Sequence, residues 1–458
     1  MTENIRPTFG SKIGVVLATV GSAVGLGNIW RFPYMLGENG GAAFLLVYII
    51  CILGLGLPVM ITEFFIGRHT HRNAAGAFKA LAPGSKWSLI GYNGVLAAFL
   101  ILGFYSVVSG WTLEYLTQAA TGSLSGKSAA EFAEDFSLFS SGIFRPIFWT
   151  ALFIAITHIV IVSGVKKGIE RASKIMMPLL FLILVVLCVR SVTLDGAEKG
   201  LSFLFNPHFD KIDSSVILSG MGQAFFSLSI GMGCLITYSS YFSKTTDLQR
   251  TALEVTILDT LVALLAGIMI FPAVFSFGIE PTAGPELVFI TLPNVFEQLP
   301  WGSVWSFIFY ILLVLAALTS TISLHEVATA YVLEEHKLSR GKAALLVSLG
   351  VLILGVVSSL SMGVWKEYTI FGLTFFNFLD YLTAKIMLPF GGMLICIFVG
   401  RRVDTKILKA ELTNEGSISF HFFNTYAFFM KYVAPVAIAL IFLHELGIIR
   451  WVKGLAGG

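Results

Sequence analysis

Apolar runs of about twenty residues or more follow one another along almost the whole chain. They cover 12–37, 41–67, 88–120, 145–163, 172–193, 214–240, 251–278, 303–332, 342–361, 377–400 and 427–449. Each is long enough to cross a bilayer as a helix. Backbone polar groups in hydrocarbon must be satisfied within the chain, so runs of this length read as helices. Composition agrees: 56% of residues are hydrophobic, 12% are charged, and the mean hydropathy is +0.84. Too little polar surface remains to cover a soluble domain. The chain reads as one all-α polytopic membrane domain of about eleven transmembrane helices. The polar intervals near 121–144, 194–213 and 401–424 read as ordinary loops. The opening "MTENIRPTFGSK" is polar and leads to no small-residue cleavage pattern, so no signal peptide is expected. Cys51, Cys188, Cys234 and Cys396 all fall in apolar runs, so no disulfide framework is expected.

Charge gives the orientation. With the N-terminus in the cytoplasm, 20 of the 30 Lys and Arg residues fall in inner segments and 8 in outer ones. Arg31 and Lys385 lie within spans. That imbalance supports an N-terminus inside, and eleven crossings then leave the C-terminus outside. Segment 279–300 has Glu280, Glu286 and Glu297 but no Lys or Arg, as suits an outer loop. The net charge of +3 follows the membrane and carries no sign of nucleic-acid binding. The expected location is the cell membrane.

Two runs are interrupted. The first reads "GSAVGLGNIWRFPY" and places Gly21, Gly25 and Gly27 where a crossing helix should be most continuous. The sixth reads "GQAFFSLSIGMGCLITYSSY", with Gly231 and Gly233 following Ser227 and Ser229. Glycine weakens helix and permits unusual backbone angles. In either run alone, close helix packing explains the glycines as well. Together they occupy corresponding places if spans 1–5 and 6–10 are two halves, about 12–193 and 214–400, with 427–449 as an extra helix. Paired interruptions of this kind point to a transport site at the bilayer midplane. Unwound helix exposes carbonyls at one half-helix end and N–H groups at the other, suited to a cation and an anion.

"GSAVGLGNIWRFPY", "GLPVMITEFFIGR", "GVKKGIERASKIMMP", "GQAFFSLSIGMG" and "LTSTISL" run in that order. Together they resemble the neurotransmitter:sodium symporter family, most nearly its bacterial amino-acid branch typified by the leucine transporter. The resemblance implies an inverted five-plus-five repeat with discontinuous helices 1 and 6. It also implies symport of an amino acid with sodium. Most members have twelve spans, so eleven is a departure outside the repeat.

The resemblance carries over two sodium sites. The first maps to the Ala23 carbonyl, Asn28, Ser227 and Asp259. The second maps to the Gly21, Val24 and Ala316 carbonyls with Thr319 and Ser320. Such oxygens suit a hard cation. Alone, each of these side chains reads as readily as an interhelical or i−4 hydrogen bond. Family members usually carry Asn at position 259. Chloride-dependent relatives build an anion site close by; Tyr48, Gln223 and Ser227 match it, but Ala263 does not. Asp259 is therefore expected to supply the negative charge itself, with no chloride requirement; the alternative is a protonated Asp259 in a hydrogen bond.

The substrate backbone maps between the breaks. Its carboxylate would meet Leu26, Gly27 and Tyr105, and its amino group carbonyls near Ala23, Phe226 and Ser229. Relatives that carry monoamines place an Asp where Gly25 stands, so an α-amino acid is expected. The side-chain pocket maps to Ile101, Tyr105, Val108, Phe226, Met232, Ser323 and Leu324. It has no unpaired charge, which fits neutral, hydrophobic substrates, and Met232 suits a broad range of them.

Arg31 with Asp380 match an outer gate pair. Arg6 with Glu334 match an inner pair near Tyr241. Glu326 reads as a solvated helix end. Glu63 matches a carboxylate that braces the broken helices. Gly168 and Pro178 fit a pattern whose unwinding opens a solvent path. The rival readings are a proton-coupled transporter of the same broad fold, a membrane amino-acid receptor or a channel. An enzyme is not expected: no zinc spacing, nucleophile elbow or paired catalytic Ser and His is present. The oligomeric state is not legible.

Overall fold

Residues 6–278 and 287–448 are described in a computed structural model; Glu280, Glu286, Arg450 and Lys453, which entered the orientation reading, lie outside them. The described residues are almost wholly helical. In chain order the first pair is α1 (Lys12–Ala23) and α2 (Gly27–Glu38), bent by 55° at the break between them. Then come α3 (Ala42–Thr70), the short α4 (Ala74–Leu81) and α5 (Ser88–Ala120). Next are α6 (Ala129–Ser141), α7 (Phe144–Val162), α8 (Val165–Val192) and α9 (Ala197–Phe205). The middle of the chain holds α10 (Ser214–Ser227), α11 (Cys234–Ser239), α12 (Leu248–Ser276) and α13 (Leu287–Glu297). The last are α14 (Gly302–Glu335), α15 (Arg340–Leu360), α16 (Phe375–Arg401), α17 (Thr405–Leu412) and α18 (Phe423–His444).

Among the described residues nine helices are long and apolar enough to cross a membrane, or ten if α1 and α2 are one bent crossing. The apolar run 214–240 is not one helix. It is α10 and α11, each too short to cross, on either side of an irregular stretch.

Proline shapes several crossings. Widened turns at Gly27–Arg31, Ile52–Gly56, Leu287–Thr291, Tyr381–Met387 and Phe429–Val433 each end two residues before Pro33, Pro58, Pro293, Pro389 or Pro435. A proline lacks the N–H that would bond the carbonyl four residues back, and its ring collides with that carbonyl. Widening the preceding turn moves the carbonyl aside and keeps the helix going.

The core forms around α5 and α14, of 33 and 34 residues. Across their most apolar windows α5 is 78% buried and α18 only 28%, which puts α5 at the centre and α18 at the lipid-facing edge. The broken elements pack tightly: a Cβ on Gly67 of α3 would lie 2.1 Å from the Ile236 carbonyl of α11.

The three intervals read as ordinary loops contain the helices α6, α9 and α17. Ser128 and Glu131 form a capping box that starts α6, and Asp404 caps α17 through the Lys406 N–H. These helices are 13, 9 and 8 residues long, so their periodicity is faint beside the spans.

Helix α17 is clamped to the C-terminal end of α3. Arg68, 1% exposed at the end of α3, donates Nε to Glu411 Oε1 at 2.6 Å and Nη1 to Asn414 Oδ1 at 2.8 Å. It also reaches the carbonyls of Thr246 and Glu411. His69 Nδ1 lies 3.0 Å from Glu411 Oε2. Burial alone would raise the Glu411 carboxyl, but the His69 hydrogen bond and the Arg68 and Lys244 charges hold it down to about 2. A carboxyl depressed on folding stabilises above its unfolded pKa of 4.5 and loses that contribution as pH falls toward 2. Glu411→Ala should therefore cost about 3 kcal/mol at pH 7, by stranding Arg68. The deficit should shrink between pH 4.5 and pH 2, as read by thermal unfolding in detergent.

Candidate ion and substrate site

Both breaks rest on specific backbone angles. After α1 the chain turns extended at Val24, with φ −68° and ψ 122°. After α10 it has positive φ at Ser229 (55°), Gly231 (83°) and Gly233 (74°). Three such residues in five cannot be helix. Glycine accepts these angles freely; Ser229 does not. Its hydroxyl is held by donation to the Ser22 carbonyl at 3.0 Å. Glu63 of α3 then receives the Gly231 N–H on Oε1 at 2.7 Å, while its buried Oε2 has no hydrogen-bond partner among the described residues.

A first oxygen cluster joins α2, α10 and α12. Asn28 donates Nδ2 to Asp259 Oδ1 at 2.8 Å and to Ser227 Oγ at 3.1 Å. Ser227 donates to Asp259 Oδ2 at 2.6 Å and accepts from the Tyr48 hydroxyl at 3.2 Å. The Asn28 Oδ1 accepts the Gly25 N–H at 3.0 Å. Asp259 is 0% exposed and forms no ion pair among the described residues, so an ionised carboxylate there would need a cation from outside the chain.

A second cluster joins the first break to α14. The Thr319 and Ser320 hydroxyls both approach the Val24 carbonyl at 3.3 Å, and Thr319 also donates to the Ala316 carbonyl at 2.9 Å. Gly21 lies against Thr319, where an added Cβ would sit 3.4 Å away. Carbonyl and hydroxyl oxygens from two helices, without nitrogen or sulfur, form a donor set for a hard monovalent cation.

Between the clusters the Leu26 N–H donates to the Tyr105 hydroxyl at 3.1 Å. Gly25 is wedged: a Cβ there would lie 2.3 Å from Ser320 Oγ and 3.2 Å from the Tyr105 hydroxyl. Gly27 faces Phe226 in the same way, at 2.8 Å. Ile101, Val108, Met232, Ser323 and Leu324 are all buried, and Ser323 donates its hydroxyl to the Ser320 carbonyl at 2.9 Å.

Both approaches are narrow. At one approach the Arg31 guanidinium lies 4.0 Å from the centre of the Phe226 ring. The cavity beside them, lined also by Gly222, Phe225 and Ala384, is about 20 Å³, room for little more than a water. Asp380 is exposed in the first turns of α16. At the other approach Arg6 pairs with Glu334 and covers the Tyr241 ring at 4.7 Å. Glu334 also receives the Asn73 N–H at 2.9 Å.

Glu326 is not a solvated helix end. It is 0% exposed, receives the Tyr241 hydroxyl at 2.6 Å, and pairs with Arg340 Nη2 at 2.5 Å. Arg340 was missed because only the fold brings α15 back onto α14. His325 beside it hydrogen-bonds Thr329 and Ser348, and Ser348 meets His158. The Gly168–Pro178 segment is wound: Val165–Glu170 is one widened turn that runs on into helix through Pro178.

The model of the sodium:neurotransmitter symporter family matches residues 6–140 and 137–452. This chain belongs to that family. It is 42% identical over 454 residues to an uncharacterized sodium-dependent transporter, YhdH, of Bacillus subtilis, covering 98% of this chain and 100% of that protein. A sodium-dependent transporter of Haemophilus influenzae is 39% identical over 96% and 98% of the two chains. Among solved structures, MhsT in complex with L-phenylalanine superposes with a TM-score of 0.89 at 45% identity, covering 96% of this chain and 100% of that one. The symporter is thus a multi-pass membrane transporter by family, and its fold is that of MhsT.

The tight fit at Gly25 has a measurable consequence. Gly25→Ala should fold, yet push Ser320 off the Val24 carbonyl. The rise in thermal midpoint that sodium gives the unaltered protein should shrink, corresponding to about tenfold weaker sodium binding, or about 1.4 kcal/mol.

Proposed function

We propose that this symporter carries neutral, hydrophobic L-amino acids, aliphatic to aromatic, into the cell with two sodium ions and without chloride. The observation that carries this reading is the buried Asp259 carboxylate, fixed by Asn28 and Ser227 next to a helix break and with no cationic side chain paired to it among the described residues. A sodium ion held by Asp259, Asn28, Ser227 and the Ala23 carbonyl would neutralise it. A second ion would sit among Gly21, Val24, Ala316, Thr319 and Ser320. That MhsT holds L-phenylalanine supports an amino-acid substrate.

On this reading the substrate carboxylate meets the Leu26 and Gly27 N–H groups, the Tyr105 hydroxyl and the first sodium. Its amino group meets carbonyls near Ala23, Phe226 and Ser229. Gly25 excludes any side chain there, so the carboxylate must come with the ligand. Ile101, Val108, Met232, Ser323 and Leu324 line the side-chain pocket. Phe226 and Tyr105 close outward under Arg31 and Asp380. Separation of Arg6 from Glu334, and of Tyr241 from Glu326, opens the inner side. Unwinding at Gly168 and Pro178 would release the second sodium. Residues 12–193 and 214–400 are the two halves that rock against each other, with the N-terminus cytoplasmic and the C-terminus outside. Each sodium entering down an inside-negative potential of about 100 mV contributes roughly 2.3 kcal/mol, so two support about 10³-fold accumulation.

The reading is tested in proteoliposomes with labelled leucine and tryptophan. Uptake of both should require an inward sodium gradient and stay unchanged when gluconate replaces chloride. Asp259→Asn should lower it roughly tenfold or more, because one ligand charge is lost. Uptake that survives replacement of sodium by potassium would instead favour proton coupling, and loss of uptake in gluconate would remove the role given to Asp259.

A further inference from the structure

The inner end of α16 and the two helices after it gather five cations. Arg401 and Arg402 end α16, Lys406 and Lys409 lie on α17, and Lys431 lies in the first turns of α18. Packing brings the three elements together. A Cβ on Gly400 would meet Lys431 Cα at 2.7 Å, and the Lys409 ammonium lies 5.7 Å from the Phe423 ring centre. Only Arg402, Val403 and Asp404 separate α16 from α17.

All five cations are exposed, and none forms an ion pair among the described residues. The neighbouring acids do not cancel them. Asp404 caps α17, Glu411 is held by Arg68, and Glu415 stands alone against the group. Other cations on the same end are divided: Arg6 pairs with Glu334, Lys79 with Glu335, Lys174 with Glu170, Arg250 with Glu254 and Arg340 with Glu326, while the exposed Lys166, Lys167 and Arg171 form no ion pair among the described residues. An inside bias of positive charge accounts for cations on this side; what sets this group apart is that three elements converge to hold five of them beside exposed apolar side chains.

Apolar side chains flank the cluster. Ile407, Phe422, Phe428 and Tyr432 are exposed by 42%, 74%, 59% and 48%. A small soluble anion has no use for them, whereas a headgroup attached to acyl chains meets both kinds of surface. Helix α17 is built for such a boundary, with Leu408 and Leu412 in the protein and Lys406, Ile407 and Lys409 outward.

We propose that this face binds the headgroup of an anionic phospholipid of the inner leaflet. The proposal rests on the cytoplasmic orientation of this end. Occupancy would steady α17, which is tied to α3 through Glu411 and to α12 through the Gln249 side chain donating to the Leu412 carbonyl at 3.0 Å.

The test counts lipids retained by the full-length purified protein in native mass spectrometry after exchange into phosphatidylglycerol or phosphatidylcholine. Phosphatidylglycerol should be retained at least roughly tenfold better, and added salt should reduce that preference. The variant Arg401→Gln/Arg402→Gln/Lys406→Gln/Lys409→Gln should lose it. Arg401→Lys/Arg402→Lys should keep it, and so should Lys166→Gln/Lys167→Gln/Arg171→Gln, which removes charge from another exposed inner segment. Equal retention of the two lipids by the unaltered protein would overturn the proposal. So would an equal loss in the control variant, or displacement by soluble glycerol phosphate. Orientation is read separately, by labelling a Lys406→Cys protein from either side of sealed vesicles; failure there would move the site to the other leaflet without touching the lipid preference.

Discussion

Backbone without helical partners, buried in the middle of a helical bundle, is the constraint on which the rest of this structure depends. Apolar surroundings make an unpaired N–H or C=O costly. Here the costs are met by a small set of side chains aimed at the breaks. Glu63 takes the Gly231 N–H, Tyr105 takes the Leu26 N–H, Asn28 takes the Gly25 N–H, and Thr319 and Ser320 approach the Val24 carbonyl.

Charge follows the same economy. Buried Glu326 is matched by Arg340 and Tyr241, and buried Glu411 by Arg68 and His69. These pairs tie α14 to α15 and fasten the peripheral helix α17 to α3. Asp259 differs, since among the described residues its hydrogen bonds come only from neutral groups. On the proposed function, a fixed anion surrounded by neutral donors at a helix break would give the site a reason to bind a cation first, and substrate binding would then depend on the ion that completes the charge balance.

Much of this was legible in the sequence, and the limits have physical causes. Most apolar runs located helices to within a few residues because bilayer thickness sets a length that chance does not imitate, although 172–193 begins seven residues inside α8 and 214–240 holds two short helices. The glycines at 21, 25 and 27, and at 231 and 233, marked both breaks. The polar residues assigned to the ion sites through the family likeness do meet: Asn28, Ser227 and Asp259 form one cluster and Thr319 and Ser320 another. Short helices were not legible, because 8 to 13 residues flanked by turns carry too little periodicity. Nor was the burial of Glu326, since its partner Arg340 is on the next helix and only the fold brings them together. The widened turns before five prolines were likewise invisible, being adjustments the backbone makes to keep a crossing continuous.

The central claim is that sodium completes a site which otherwise carries an uncompensated carboxylate. Equilibrium binding of labelled leucine to the purified protein, with no membrane potential, tests it most directly. Raising sodium from zero to 100 mM at constant ionic strength with potassium should tighten leucine binding by roughly two orders of magnitude, as expected for coupling of about 2.7 kcal/mol. Leucine affinity that is the same in sodium and in potassium would contradict the account.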